Sequence, residues 1–280
     1  MQMSLRQLFN LTATGYEERI IPAFGPLAGS LVAWIQPTGS ETALDIGAGT
    51  GIAARLIAPH VNQVLAVDFA PAMTQIARQV ADREQLHNLT PTQADAHYLP
   101  FRSGAFDLVL SSFGLNATIP RRVFAEAYRV LRPGGRLSLQ EWGGQHEFDA
   151  MIVDILEEYA VYDEDAPADL VALRDLLEIE RPWYRDMQTE DDFLDILEGQ
   201  GFVGISVQEH RPATVHLPVN AFIDYKMAWT AKGAELAAMD PMARGDCLDQ
   251  LRARLHEYAD REGVLEYSPL LFRAQAARAQ

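Results

Sequence analysis

A single cysteine, Cys247, stands in 280 residues. One thiol closes no intramolecular disulfide and builds no thiolate metal cage, which fits a reducing compartment and makes the cytoplasm the expected location. Basic residues are also few: 23 Lys and Arg against 39 Asp and Glu leave a net charge of -16. So acidic a chain repels a polyanion or an anionic membrane surface over much of its area, and no nucleic-acid partner is expected. Arg121, Arg122, Arg129, Arg132 and Arg136 crowd together, but a solvated helix and turn accounts for them. No window reaches the ~18 apolar residues of a membrane span, so stable membrane insertion is not expected. The N-terminus lacks the basic, apolar and small-residue succession of an export signal. Internal repeats and low-complexity tracts are absent too. What remains is 48% hydrophobic and long enough for one large core, or a core with a smaller lobe.

The most constrained stretch is Ala43-Leu-Asp-Ile-Gly47-Ala-Gly49-Thr-Gly51. Thr42 to Ile46 is short and apolar like a buried parallel strand, three glycines follow in five residues, and Ile52 onward has helical spacing. Strand, glycine turn and helix open a βαβ unit, and such glycines serve positive φ or the close approach of a ligand to main-chain amides. A dinucleotide fingerprint would place its third glycine at position 52, where Ile52 stands instead. Asp45, two residues before the first glycine, would set negative charge near a pyrophosphate; it suits a ligand with cationic groups.

Met1 to Ser40 reads as a helical segment. Beyond the glycine loop, strands at Val61 to Val67, Leu89 to Ala94, Phe106 to Ser111 and Gly135 to Gln140 alternate with helices at Pro71 to Gln85 and Arg121 to Leu131. That alternation predicts an α/β fold, a parallel sheet with helices on both faces. After Trp142 the rhythm changes: Phe148 to Tyr162, Ala168 to Ile179 and Thr189 to Gln200 are helical, and Val203 to Leu217 alternates. Ala221 to Trp229 and Cys247 to Arg261 are helical again, and a last strand, Val264 to Ala274, returns to the sheet. The expected divisions are therefore 1–40, a cofactor-binding core over 41–142, a helical lid over 143–200 between the fifth and sixth strands, and 201–280 completing the core. Gly143-Gly144 reads either as a hinge for that lid or as an ordinary turn.

In these residues the chain resembles the class I S-adenosylmethionine-dependent methyltransferases, in the group that includes quinone-biosynthesis C-methyltransferases and many small-molecule enzymes. The resemblance is carried by Asp45-x-Gly47-x-Gly49-x-Gly51, by Asp68 closing Val64-Leu-Ala-Val, by Asp95-Ala96 after the third strand, and by Arg129-Val-Leu-Arg-Pro-Gly-Gly-Arg-Leu. It implies a Rossmann-like, doubly wound, mostly parallel seven-stranded sheet and S-adenosyl-L-methionine as cofactor. The glycine loop, with Asp45, Gly47, Ala48, Gly49 and Gly51, would wrap the methionyl part; Asp68 would bind both ribose hydroxyls, and Phe69 and Met73 would pack on adenine. Asp95 and Ala96 would meet the adenine edge, with His97 at the pocket rim or in a surface loop. Ser111 and Ser112 would face the methionine ammonium. Tyr16 would reach the cofactor carboxylate, or simply pack.

Methyl transfer from a sulfonium is an in-line displacement, so holding the nucleophile aligned in a dry site supplies much of the catalysis, and a general base is optional. Groups expected to face the acceptor are Phe113, Asn116, Glu141, Trp142 and His146, with Trp183, Tyr184, Tyr225 and Trp229 from the lid. For His146 the competing reading is a polar helix start, and for the aromatics it is ordinary core. Ser111-Ser-Phe-Gly replaces the Asn/Asp-Pro-Pro-Tyr/Phe of amino-methylating nucleic-acid enzymes, and no Pro-Cys serves cytosine chemistry. The acceptor is thus a small, hydrophobic or aromatic molecule, methylated on O, N or C. An alternative keeps the cofactor pocket for a cyclisation or for transfer of another group. A homodimer is compatible with the sequence.

Overall fold

The computed structural model describes residues 4–13, 15–144, 146–179, 182–211, 214–228 and 230–280. In chain order the elements are α1 (Leu5–Thr12), α2 (Tyr16–Ile35), β1 (Thr42–Ile46), α3 (Ile52–Ile57), β2 (Gln63–Asp68), α4 (Pro71–Arg83), β3 (Leu89–Gln93), β4 (Phe106–Ser112), α5 (Pro120–Val130), β5 (Leu131–Trp142), α6 (Glu147–Glu158), α7 (Ala168–Glu178), α8 (Pro182–Asp186), α9 (Glu190–Gly199), β6 (Phe202–His210), β7 (Val215–Pro218), α10 (Val219–Met227), α11 (Thr230–Ala238), α12 (Pro241–His256), β8 (Val264–Tyr267) and β9 (Leu271–Arg278). They fall into two compact units.

The first unit, Leu27–Gly144, Glu180–Pro212 and Leu270–Gln280, holds a seven-stranded sheet of order β3-β2-β1-β4-β5-β9-β6. Only β9 runs antiparallel to its neighbours β5 and β6, so the fold is the α/β sheet that the alternating pattern predicts, of the Rossmann-like kind that the resemblance implies. Parallel strands must be covered on both faces, and β1 and β4 are accordingly buried along most of their length. On one face Val123, Phe124, Ala127 and Val130 of α5 pack with Trp183 of α8 and with Phe193, Ile196 and Leu197 of α9. Thr189 and Asp192 close a reciprocal cap on α9, accepting and returning hydrogen bonds that its free amides would otherwise lack.

The second unit, Met1–Pro26, Gln145–Ile179 and Ala213–Pro269, is mostly helical and carries the two-stranded antiparallel sheet of β7 and β8. Phe148, Phe222, Tyr225 and Tyr267 meet there edge to face or tilted, with ring centroids 5.3 to 6.0 Å apart. Lys226 is buried among them, its ammonium 4.6 Å from the Tyr267 centroid and 2.8 Å from Asp149 Oδ2. Burial pushes this lysine down to about 8 against the pull of Asp149.

Several expected boundaries change. The proposed lid 143–200 is divided: α6 and α7 belong to the helical unit, whereas α8 and α9 pack on the sheet. The expected segments 203–217 and 264–274 are each two strands in two different sheets, β6 with β7 and β8 with β9. Pro269, which lacks an N–H, lies in the second of these breaks, between β8 and β9. Gly143 donates its amide to the Leu270 carbonyl, and a Cβ there would stand 3.1 Å from the Leu270 side chain, so its smallness serves close packing. Among the described residues no helix is long and apolar enough to cross a membrane.

Candidate active site

In open α/β sheets ligands bind beyond the carboxyl ends of the strands, so the turns after β1, β2, β3 and β4 define the site. Gly47 leaves β1 with φ +68°. A Cβ on it would lie 2.3 Å from the Gly114 carbonyl oxygen, and one on Gly114 would lie 2.5 Å from that of Gly47. The turns after β1 and β4 therefore touch backbone to backbone, and neither position admits a side chain. Gly49, with φ +56°, faces open space instead: a Cβ there would meet nothing within 4 Å. The Ala48 amide donates to Val67 and the Gly51 amide to Ala48, which anchors the turn on β2.

Two acids converge on this turn. Asp68, at the end of β2, accepts the Gly49 amide at 2.9 Å and the Ala70 amide at 2.8 Å. Burial raises its pKa and those amides oppose the rise. Asp45 is 1% exposed, and neither of its carboxylate oxygens has a hydrogen-bond partner. Burial lifts it to about 8; the Ala54 amide, outside hydrogen-bonding geometry, works against this, and the Asp68 charge adds to it. The buried hydroxyl of Thr50, inside the same turn, is likewise without a partner. Buried polar groups are nearly always paired, so two such side chains beside a glycine facing open space mark a place for a polar, cationic ligand.

The remaining predicted positions divide. Phe69 is half-buried and Met73 buried, both directly after Asp68. Asp95 is exposed and Ala96 half-buried after β3. His97 is a clamp: its Nδ1 lies 2.7 Å from Asp95 and its Nε2 accepts the Ile119 amide at 2.8 Å. The accepting Nε2 puts the proton on Nδ1, so the ring ties the β3 turn to the start of α5. Ser111 donates its hydroxyl to the Ile46 carbonyl at 2.7 Å, and Ser112 accepts from Gln140 at 2.9 Å. Both hydroxyls are engaged within the sheet, where Ser111 and Ser112 also pair with Leu139 and Gln140 of β5. Tyr16 is the first residue of α2 and lies in the helical unit.

Beyond β4 and β5, Phe113 and Trp142 stack with centroids 4.3 Å apart. Phe113 has φ +60°, a left-handed conformation uncommon for an aromatic residue. Asn116 donates to the Phe113 carbonyl at 3.0 Å. Glu141 is 1% exposed; its Oε1 accepts the Leu115 amide at 2.8 Å, its Oε2 has no partner, and burial raises it to about 8. His146 caps α6, accepting the Phe148 amide on Nδ1 at 3.2 Å. Of the expected lid aromatics, Trp183 is core of the sheet unit, Tyr225 is core of the helical unit and Tyr184 is exposed. Trp229 lies outside the described residues. Sequence reasoning missed Gly114 and Thr50; a glycine straight after β4, facing the glycine loop's own strand, was the available signal for the first.

A partnerless buried acid behind a glycine turn, with a second acid closing the next strand, makes this an α/β enzyme that holds a nucleoside cofactor at the carboxyl edge of its sheet. Residues 44–139 match the family described as Methyltransferase domain. A ubiquinone/menaquinone biosynthesis C-methyltransferase of Zymomonas mobilis is 32% identical over 182 residues, 61% of this chain and 71% of that protein. A demethylmenaquinone methyltransferase of Tropheryma whipplei is 31% identical over 209 residues, 72% of this chain and 84% of that protein. The structure of phosphoethanolamine N-methyltransferase 2 of Haemonchus contortus with S-adenosylhomocysteine superposes with a TM-score of 0.61 at 18% identity, covering 99% of this chain and 61% of that one. At that identity it supports the fold alone. The chain belongs to the class I S-adenosylmethionine-dependent methyltransferases, in their quinone-biosynthesis group. It is an enzyme that uses S-adenosylmethionine to methylate a small molecule.

Proposed function

We propose that the acceptor is a small apolar aromatic molecule of the quinol class, methylated on carbon. The buried, partnerless carboxyl of Asp45 behind the open face of Gly49 carries the cofactor half of this reading. The residues fit S-adenosylmethionine: Asp45 and the main chain of Ser111 and Ser112 receive its ammonium, and Gly47, Ala48, Gly49 and Gly51 wrap the methionyl chain. Asp68 binds the ribose hydroxyls; Phe69, Met73, Asp95 and Ala96 hold adenine, with His97 fixing the turn that presents them. When bound, the cofactor supplies an electrophilic methyl group on sulfur. The protein's own work is to orient the acceptor and exclude water, for which the stacked Phe113 and Trp142 form an apolar wall.

The relatives named above are quinone-pathway methyltransferases, which supports a quinol-type ring and disfavours a cyclase. The matched family region, 44–139, lies wholly within the sheet unit, so we assign acceptor choice to the helical unit and its segments 146–179 and 214–269. The charge of -16 supports the absence of a nucleic-acid partner, and the lone, buried Cys247 supports a cytoplasmic location. A homodimer is the assembly proposed, and light scattering decides it. Methyl-labelled cofactor incubated with reduced benzoquinones, naphthoquinones and phenols tests the acceptor: label on a quinol ring carbon is expected, and label only on phenolic oxygen or on amines refutes the proposal.

A further inference from the structure

Four residues in the sheet unit, Phe113, Gly114, Leu115 and Glu141, form a mechanical link that the cofactor assignments leave unused. Glu141 sits in β5, fixed by its pairing with Phe272 of β9. From there its Oε1 takes the Leu115 amide at 2.8 Å. The next residue, Trp142, stacks on Phe113, which is held at φ +60°. A non-glycine residue keeps such a conformation only where its surroundings over-determine it. Between these two anchored residues lies Gly114, whose backbone abuts Ile46 and Gly47 so closely that a Cβ on it would come within 2.6 Å of the Ile46 oxygen. The turn after β4 is thus pressed onto the start of the glycine loop by the end of β5.

We propose that Glu141 is a positioning residue for methyl transfer: through Leu115 and Gly114 it sets the seat of the Gly47–Gly51 turn and hence the affinity for cofactor. It acts without touching the cofactor. Loss of the carboxyl strands the amide of the buried Leu115 and frees the 113–115 turn to relax away from Gly47. Glutamine, which keeps a carbonyl oxygen at the same place, preserves the link.

The experiment is S-adenosylhomocysteine titration calorimetry on the full chain as wild type, E141A, E141L, E141Q, G114A and E141A/G114A, with thermal melts to establish folding. E141A is expected to weaken binding about tenfold, and E141Q to stay within about threefold of wild type. The cofactor KM should rise with the dissociation constant while the acceptor KM holds. E141L, which fills the volume but cannot accept a hydrogen bond, should behave as E141A and stands in for it should the alanine variant not fold. Because E141A and G114A break one link, the double variant should be less than additive. Folded E141A or E141L binding within about twofold of wild type, or E141Q falling as far as E141A, overturns the proposal. The inference rests on the cofactor reading, and a wild-type protein that binds no S-adenosylhomocysteine overturns that reading as well, a result distinct from failure of the Glu141 link.

Discussion

Asp45 offers the sharpest quantitative test. Its carboxyl is raised from 3.8 to about 8, chiefly by burial, with the Ala54 amide working against the rise and the Asp68 charge adding to it. At pH 7 such a group holds its proton roughly nine times in ten. A cofactor ammonium brought beside it favours the charged form, so binding should expel close to one proton at pH 7. Affinity should accordingly climb about tenfold per pH unit between pH 6 and 7 and flatten above pH 8. Stability of the ligand-free protein follows the opposite sign. Between the unfolded value of 3.8 and the folded value of about 8, the unfolded chain has released a proton that the folded chain retains, so stability falls as pH rises through that window. The full span corresponds to ~6 kcal/mol at most. Asp45→Asn removes both effects: it should melt higher than wild type at pH 8, by a margin that shrinks toward pH 4, and bind S-adenosylhomocysteine with a flatter pH profile. Calorimetry in two buffers of different ionisation enthalpy reads the proton count. Wild type releasing no proton at pH 7, or Asp45→Asn releasing as many as wild type, would refute the assignment of Asp45 to the ammonium.

Asp68 and Asp45 are assigned to opposite ends of the cofactor, and methylthioadenosine, which lacks the amino-acid end, separates them. Asp68→Ala strands the Gly49 and Ala70 amides and should weaken this nucleoside by about tenfold or more, whereas Asp45→Asn should leave it within about twofold. Gly47→Ala would drive a Cβ to 2.3 Å from the Gly114 oxygen, and denaturant melts should record a loss of about 2 kcal/mol or more. In the helical unit, Asp149→Ala removes the carboxylate that binds Lys226 and Lys232 at 2.8 and 2.7 Å and should cost about 3 kcal/mol, of which Lys226→Met in the same chain should restore part by withdrawing the buried ammonium.

The glycine turn and its two acids could be read from the sequence because short-range constraints define them. The turn after β1 needs its glycines within five residues of one another, and the acids at positions 45 and 68 stand where successive parallel strands end. Strand period and turn chemistry fix such positions locally. Ser111, Ser112 and His97 enter only through the family resemblance, and a motif position does not say which neighbour a side-chain atom serves. Ser111 turned to Ile46, Ser112 to Gln140 and His97 to Asp95 and the Ile119 amide, partners up to 65 residues away. The division of the lid failed for a related reason. Helix α9 carries Phe193, Ile196 and Leu197 on one face, a pattern that demands a partner surface without naming it, and the sheet supplied it.

Donor and acceptor recognition differ in the same way. Apart from Tyr16, the residues assigned to the donor lie between Asp45 and Ser112 in one unit, and much of what they offer is main chain: amides of a tight turn and carbonyls at strand ends. Main-chain geometry tolerates little sequence change, and the family match, residues 44–139, covers this region. Side chains choose the acceptor in the proposed reading, and the pair offered for it, Phe113 and Trp142, is aligned by stacking between distant parts of the chain. Glu141 bridges the two regimes. It lies two residues past the matched region, yet its carboxyl grips the turn that meets the glycine loop. Evolution of a new acceptor pocket around Trp142 must therefore preserve the Glu141 contact, or the same change that admits a new acceptor will loosen the hold on the donor.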